Sequence, residues 1–216
     1  MADVFAPGCA LKMYKPHLAD RLLQYLNKRD QVVAEHFTCC RHEPRLPHGT
    51  RVINGCAGCN RRYRELYEGV TTISLWELLA ESDFTFPDYH GMAMAIHDAC
   101  PTRTETRVHE AVRTLLRRMN ITAVEPEHTG TRATCCGDSF YGVLPIDQVK
   151  AQMAKRAQEM PVEDVAVYCV SCIKAMHIGG KKPRYLVDLL FGEPTEIGTW
   201  ETDDWHRELQ EYINRH

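Results

Sequence analysis

The sequence predicts an α/β protein of two pseudo-symmetric Rossmann-like lobes, each with a short, mostly parallel sheet flanked by helices. Two observations predict this fold. The ten cysteines divide into two sets that repeat one order: a single cysteine, an adjacent pair and a Cys-x-x-Cys. Short apolar segments also alternate with segments of helical periodicity in both halves. Such alternation is typical of parallel strands joined by helices.

The cysteine sets predict two equivalent thiolate sites, one in each half of the chain. The first site consists of Cys9, Cys39, Cys40, Cys56 and Cys59. The second site consists of Cys100, Cys135, Cys136, Cys169 and Cys172. No cysteine lies outside the two sets, so every thiol takes part in the duplication.

The elements of the first half follow from apolar spacing around its cysteines. Residues 16–26 carry apolar side chains at helical spacing and begin with a proline, which the first turn of a helix tolerates. Residues 50–53 predict a strand that leads to the Cys-x-x-Cys. Helices are expected over 60–67 and 75–79. The first lobe is predicted to span residues 1–85.

The second half repeats this plan with clearer signals. Strands are expected over 92–96 and 164–168, each leading to a cysteine, and a further strand over 121–124. A stripe at helical spacing predicts a buried helix face: Val108, Ala111, Val112, Leu115, Leu116 and Met119. Shorter helices are expected over 173–176 and 186–190. The second lobe is predicted to span residues 90–195, with a helical tail over 196–216.

Composition limits the classes of function. The chain has 216 residues, 44% of them hydrophobic, which is enough to bury a core. A net charge of −3 argues against a nucleic-acid binder. No leader segment or spanning helix is visible, so we expect a cytoplasmic protein without a membrane span. Disulfides are rare in that compartment, and cysteine clusters there usually indicate metal or redox chemistry.

Five thiols at one site favour some metal chemistries over others. A structural zinc ion takes four ligands, and adjacent cysteines do not easily face one small ion. Adjacent thiolates suit a centre with several metal atoms, so an iron–sulfur cluster is favoured, although zinc stays open. A redox-active Cys-x-x-Cys would leave six cysteines unexplained. Cys59 and Cys172 each stand where a helix is expected to begin, and the free N–H groups there favour an anionic group.

The cysteine pattern also resembles a known family. The stretches that carry the resemblance are Pro7-Gly8-Cys9, Asn54-Gly55-Cys56-Ala57-Gly58-Cys59, His97-Asp98-Ala99-Cys100-Pro101, Cys135-Cys136-Gly137 and Cys169-Val170-Ser171-Cys172. They look like the CCG domain, the cysteine-rich domain of the heterodisulfide reductases and of related iron–sulfur oxidoreductases. The resemblance covers the chain to about Gly192. It implies two metal-binding sites, each holding one non-cubane 4Fe-4S cluster through the five cysteines of one half.

The resemblance further implies an oxidoreductase that reduces a disulfide or a related sulfur substrate. Electrons would come from a partner flavoprotein or ferredoxin-like protein. Two alternatives remain: an electron-transfer iron–sulfur subunit of a hydroxy-acid dehydrogenase, of the glycolate or lactate type, and a zinc-bound structural module. The sequence does not indicate an oligomeric state.

A few other residues are candidates for chemistry near the cysteines. His97 lies between an apolar strand and the second site, where it could donate a proton, although a structural role is the stronger alternative. Lys12, Arg41 and Arg103 are candidates for binding an anionic thiol.

The first site departs from the family pattern. Arg41 follows its adjacent cysteines where the second site has a glycine. Only 15 residues separate Cys40 from Cys56, against 32 between Cys136 and Cys169. We expect the missing segment to be a helix.

Overall fold

The structure, a computed structural model, describes residues 2–28, 33–37, 39–198 and 201–216. The chain divides into two compact units, one comprising Met1–Leu78 and Asp203–His216 and the other Leu79–Thr202. Each unit contains a four-stranded sheet in which every pairing is parallel. The predicted α/β fold with two helix-flanked parallel sheets is confirmed.

The first unit has the strand order β2-β1-β3-β4. Its strands are β1 (Asp3–Ala6), β2 (Ala34–Glu35), β3 (Arg51–Asn54) and β4 (Thr71–Ser74). Its helices are α1 (Cys9–Tyr14), α2 (Pro16–Asn27), α3 (Ala57–Leu66), α4 (Leu75–Ala80, which ends just beyond the unit boundary) and the C-terminal α9 (Thr202–Arg215). Strand β3 and helices α2, α3 and α4 were predicted with ends that differ by a few residues.

The second unit repeats that order as β6-β5-β7-β8. Its strands are β5 (Ala93–His97), β6 (Thr122–Val124), β7 (Asp164–Val167) and β8 (Lys182–Tyr185). Its helices are α5 (Thr106–Arg118), α6 (Ile146–Gln158), α7 (Val170–Ile178) and α8 (Leu186–Phe191). Three-residue 3-10 turns lie at Cys100–Thr102, Gly130–Arg132 and Asp138–Phe140.

The register of the central strands makes the two units equivalent residue by residue. Ala6 pairs with Asn54 in the first sheet, and His97 pairs with Val167 in the second. Ala6 and His97 each stand three residues before the single cysteine of their site. His97 therefore occupies the position that Ala6 occupies in the first unit.

Apolar helix faces cover both sheets. The stripe predicted for α5 is buried along its whole length, from Val108 to Met119. Helix α2 buries Leu18, Leu22 and Leu26, which lie four residues apart and share one face. Burial of these faces holds the strands that carry the cysteines in place.

The second unit has one helix without a counterpart in the first. Helix α6 lies between the adjacent cysteines and the Cys-x-x-Cys of the second site. The described residues 39–50 of the first unit contain no helix. The segment missing from the first half is therefore a helix, as expected.

The C-terminal tail was predicted as a separate element over 196–216. Residues 199 and 200 of that segment lie outside the described residues. Helix α9 buries Trp205 and Ile213, which fits the predicted helical spacing, and most of it groups with the first unit. The boundary between the units falls after Leu78, whereas the lobes were predicted to end at 85 and begin at 90.

Candidate metal centres

The first site lies at the carboxyl ends of two neighbouring strands. Cys9 begins α1 three residues after β1 ends. Cys56 follows β3 and directly precedes α3, and Cys59 lies in the first turn of that helix. Cys39 and Cys40 come from the segment between β2 and β3. Parallel strands end at one edge of their sheet, which is why these separate segments meet there.

The thiols of the first site form a continuous chain of hydrogen-bond contacts. Cys9 contacts Cys39, Cys39 contacts Cys40, Cys40 contacts Cys59, and Cys59 contacts Cys56. The structure thus brings all five predicted cysteines together. None of the ten cysteines of the chain forms a disulfide.

The second site repeats both the placement and the order of contacts. Cys100 contacts Cys135, Cys135 contacts Cys136, Cys136 contacts Cys172, and Cys172 contacts Cys169. Cys100 follows β5, and Cys169 follows β7 as Cys56 follows β3. Two separate stretches of chain therefore build the same arrangement of five thiols.

Glycines allow the backbone to approach the thiols closely. Gly8 has a φ of +86°, and a Cβ there would lie 2.7 Å from Cβ of Cys56 and 3.6 Å from Sγ of Cys59. Gly137 has a φ of +105°, and a Cβ there would lie 2.7 Å from the backbone nitrogen of Met153. Neither position has room for a side chain, and both need a backbone conformation that glycine adopts readily.

Crowding prevents these thiols from all ionising on their own. The pKa values of six of these thiols are raised. The largest cause in each is a hydrogen bond with a neighbouring cysteine, and burial and the charges of other groups raise the pKa further. These six are Cys9, Cys40 and Cys59 in the first site and Cys100, Cys136 and Cys172 in the second. A positively charged metal group would remove this penalty, because it stabilises thiolates directly.

One thiol of each adjacent pair behaves in the opposite way. Hydrogen bonds from neighbouring thiols lower the pKa of Cys39 to about 2, and they hold the pKa of Cys135 far below its usual range. Cys135 also lies 3.0 Å from Oγ of Ser139 and accepts the N–H of Gly137 at 3.3 Å. These two cysteines are therefore prepared as thiolates before any metal binds.

Helix N-termini add favourable charge on one side of each site. Cys56 caps α3 and Cys169 caps α7, each with an extended backbone conformation. The thiol of Cys59 and the backbone N–H groups of Cys59 and Gly58 donate hydrogen bonds to the sulfur of Cys56. These hydrogen bonds outweigh the effect of burial, which acts to raise the pKa of Cys56, and they lower that pKa to about 7. Anionic sulfur is stabilised at such a terminus.

His97 lies against the second site and is fully buried. One of its ring nitrogens and the sulfur atoms of Cys136 and Cys172 all lie within 4.8 Å of one another. Its Nδ1 accepts the Nε–H of Arg156 at 3.2 Å, whereas its Nε2 is buried without a hydrogen-bond partner among the described residues. Burial, assisted by the charge of Arg156, lowers the pKa of His97 to about 4. His97 is thus neutral at neutral pH.

A buried polar network holds the loop that carries Cys100. Asp98 accepts hydrogen bonds from both terminal nitrogens of Arg113, at 2.9 and 3.2 Å, and from the N–H of Gly130 at 2.7 Å. Tyr168 bonds to Asp98 at 3.1 Å and to the hydroxyl of Thr102 at 2.9 Å. Asp98 therefore orients backbone near the site rather than facing the thiols with a free carboxylate.

The first site opens into a pocket with about 320 Å³ of empty space, part of it open to solvent. Four of the five first-site cysteines line it, together with His36, Tyr63 and Tyr212. Within the part of the chain that the structure describes, the hydroxyl of Tyr63 and Nε2 of His36 are buried without a hydrogen-bond partner. Tyr63 stands four residues after Cys59, and the equivalent residue of the second unit is Met176. The two sites therefore share their sulfur atoms but differ in the polar groups around them.

Sequence reasoning missed Tyr63, Ser139 and Arg156. Tyr63 has a local signal, because it shares a helix face with Cys59. Arg156 also has one, since it lies on the buried face of α6 with Val149 and Met153. An arginine on an apolar stripe indicates a buried partner.

The three basic residues predicted to bind an anion are engaged within the protein. Lys12 lies 3.0 Å from a carboxylate oxygen of Glu35, and Arg41 donates to the side chain of Gln210 at 3.2 Å. Arg103 donates to the carbonyl of Ala133. Nothing in these contacts favours a substrate role for them.

Comparisons with known proteins identify no family for this chain. No family model matches the chain, and no curated protein matches it. Among solved structures, it is similar to the glutamate racemase isoform RacE1 of Bacillus anthracis, with 9% identity and a TM-score of 0.37 over 98% of this chain and 82% of the other. It is also similar to the aspartate racemase of Picrophilus torridus, with 9% identity and a TM-score of 0.34 over 98% of both chains.

The predicted function is wrong by these comparisons. The prediction was an iron–sulfur oxidoreductase of the heterodisulfide reductase type, with an electron-transfer subunit or a zinc module as alternatives. The solved structures that match are named as racemases and not as iron–sulfur reductases. The cysteine pattern indicates which atoms can bind a metal, but it does not determine a reaction.

The resemblance to the CCG domain, the two clusters and the partner proteins stay predictions. Within the part of the chain that the structure describes, no helix has both the length and the apolar character needed to cross a bilayer.

Proposed function

We propose that the protein is a metal-cluster protein in which each five-cysteine site holds one 4Fe-4S cluster of the non-cubane type. The observation that carries this proposal is that the five thiols of each unit are linked in the same order by four contacts. One tetrahedral ion would use four of the five thiols and leave one buried beside a charged centre. A centre with several metal atoms uses all five.

The residues present fit such a group. Soft thiolates are the ligands that iron–sulfur clusters take in proteins. Gly8 keeps a side chain away from the sulfur atoms of Cys56 and Cys59, and Gly137 lets the backbone after Cys136 pack closely against Met153. The helix termini at Cys56 and Cys169 supply N–H groups to an anionic centre.

The chain's own residues hold and shield the group. Cys39 and Cys135, with lowered pKa values, provide the first thiolates. The remaining thiols lose their protons as metal binds, so metal affinity rises with pH. A bound cluster supplies one-electron redox chemistry. Cysteine clusters that bind metal are typical of reducing compartments, so we assign the protein to one such as the cytoplasm.

The test is the metal content of protein purified without oxygen. We expect about eight iron atoms and eight acid-labile sulfides per chain. Cys40→Ser and Cys136→Ser each replace one sulfur with oxygen, and each should lose the cluster of its own unit and about half of the iron. Lys155→Ala, on the exposed side of α6, is the control in the same unit as Cys136 and should keep the wild-type iron content. Zinc without sulfide, or no metal at all, would overturn the proposal.

A further inference from the structure

We propose that His97 donates a hydrogen bond from Nε2–H to the ligand sulfurs of the second site, and that Arg156 positions it as a donor and not as a metal ligand. This proposal rests on the proposed cluster of the second site. It concerns a group that lies outside the thiol set, and the equivalent position of the first unit is Ala6.

Arg156 determines which ring nitrogen carries the proton. A guanidinium only donates hydrogen bonds, so Nδ1 of His97, 3.2 Å from Nε of Arg156, must present its lone pair. The proton of the neutral ring is therefore on Nε2. A protonated nitrogen cannot coordinate a metal, so this ring can only donate from its free side.

Arg156 is itself held from two further directions. Its terminal nitrogens donate to the carboxylate of Glu159 and, at 2.9 Å, to the carbonyl oxygen of His128. The residue is only 2% exposed. These contacts leave the guanidinium little freedom to rotate, so the tautomer of His97 is determined by packed structure.

Sulfur acceptors lie near the imidazole ring of His97. Nε2 is buried and has no hydrogen-bond partner among the described residues. Leaving such a donor unsatisfied is costly, and native proteins rarely do so. The sulfur atoms of Cys136 and Cys172 lie within 4.8 Å of a ring nitrogen of His97. Thiolates at these positions would accept the hydrogen bond.

The described part of the first unit has no counterpart of the pair formed by His97 and Arg156. Ala6 occupies the position of His97, and no helix corresponds to α6, which carries Arg156. A hydrogen bond to a ligand sulfur stabilises the reduced, more negative state of a cluster. We therefore infer that His97 raises the reduction potential of the second cluster alone.

Two amide variants separate the two sides of the ring. His97→Asn keeps an acceptor for Arg156 but has no group at the Nε2 position. His97→Gln places an amide N–H at the Nε2 position but has no acceptor at the Nδ1 position for Arg156. Both are measured in the full chain for iron and sulfide content, and by redox titration followed by electron paramagnetic resonance. The signal missing from Cys136→Ser identifies the second cluster.

We expect His97→Asn to keep the wild-type iron content and to shift the potential of the second cluster to more negative values. The hyperfine coupling of the second cluster to the exchangeable Nε2 proton of His97 should also disappear in this variant. His97→Gln should restore both the potential and the coupling in large part. Tyr63→Phe, in the other unit, is the control and should leave the reduction potential of the second cluster unchanged.

The outcomes distinguish this proposal from the one on which it rests. A wild-type chain without iron and sulfide overturns both. A loaded wild type whose second potential and proton coupling are unchanged in His97→Asn overturns the role of His97 alone. Loss of the second cluster in both amide variants, while the fold is retained, would make His97 a ligand and would also overturn it.

Discussion

Asp98, which lies two residues before Cys100, forms a bidentate ion pair with Arg113, with oxygen–nitrogen distances of 2.9 and 3.2 Å. The carboxylate of Asp98 is fully buried. Burial acts to raise its pKa, but the hydrogen bonds and charge of Arg113 outweigh it and hold the pKa of Asp98 below its ordinary value. The pair thus stabilises the fold next to the second site.

Replacing Asp98 should therefore destabilise the second unit. Asp98→Asn leaves Arg113 with a buried charge that is only partly compensated, and we expect a loss of about 3–5 kcal/mol in the free energy of unfolding. Urea titration of the metal-free protein measures it. Asp164→Asn, which breaks a more exposed pair with Arg184, is the control and should cost about 1 kcal/mol or less. Equal losses in the two variants would contradict the role given to Asp98.

The same pair predicts how stability depends on pH. A carboxyl group whose folded pKa is depressed contributes stability above its unfolded pKa of about 3.9 and loses it as the pH falls through the folded value. Wild-type protein should lose stability in that acidic range, and Asp98→Asn should lose less over the same range. Denaturation midpoints at a series of acidic pH values test this. Parallel curves for the two proteins would show that Asp98 does not carry the effect.

Thiol reactivity should differ between Cys135 and Cys100 in reduced, metal-free protein. Hydrogen bonds from Cys100 and Cys136 hold the pKa of Cys135 far below its usual range, whereas the hydrogen bond with Cys135 and burial raise that of Cys100. Only the thiolate is alkylated. At about pH 6, iodoacetamide should modify Cys135 before Cys100. Its rate should be nearly independent of pH, while that of Cys100 should rise about tenfold per pH unit.

Peptide mapping by mass spectrometry follows both positions, which are each partly exposed. The same reaction in urea is the control, because unfolding should make the two profiles alike. Identical profiles in the folded protein would refute the predicted order of ionisation.

The backbone at Gly8 should tolerate no side chain. Gly8→Ala forces an L-residue to a φ of +86° and places its Cβ against Cys56. We expect a loss of at least about 1 kcal/mol in stability, together with loss of metal from the first site only. Gly58→Ala is the matched control in the same site, since a Cβ there would meet nothing closer than 3.8 Å. The iron content and the thermal unfolding of the two variants test this prediction, and equal values for both would contradict it.

Arg156→Lys should release the tautomer of His97 even in metal-free protein. Lysine lacks the Nε–H that Nδ1 accepts, so the ring should populate both neutral tautomers. Nitrogen-15 spectra of histidine-labelled protein report the protonation of each ring nitrogen. The wild type should show an unprotonated Nδ1 and a protonated Nε2. Lys155→Ala, on the exposed side of α6, should keep the wild-type spectrum.

The sequence predicted those elements whose signal is local. Strands β5 and β7 are apolar and lead directly to cysteines, and the stripe of α5 repeats at helical spacing. Strands β4 and β8 escaped prediction because they have four residues each and carry polar side chains. Only pairing with a central strand makes them strands, and pairing is not a local property.

The sites divide in the same way. The ten cysteines could be grouped from their order alone, because the duplicated pattern is visible in the sequence. The contact between His97 and Arg156 joins residues 59 positions apart and depends on how α6 packs. The reaction was predicted from a resemblance, and there the prediction failed.

Helix α6 has a consequence for how the two halves of the chain could have diverged. A histidine at position 97 without α6 would leave Nδ1 buried and unpaired, and an arginine at 156 facing an alanine would be a buried charge lacking one of its acceptors. Neither residue is easily gained or lost by a single substitution. We therefore expect chains with this two-unit fold and cysteine pattern to have the helix, the arginine and the histidine together, or to have none of the three.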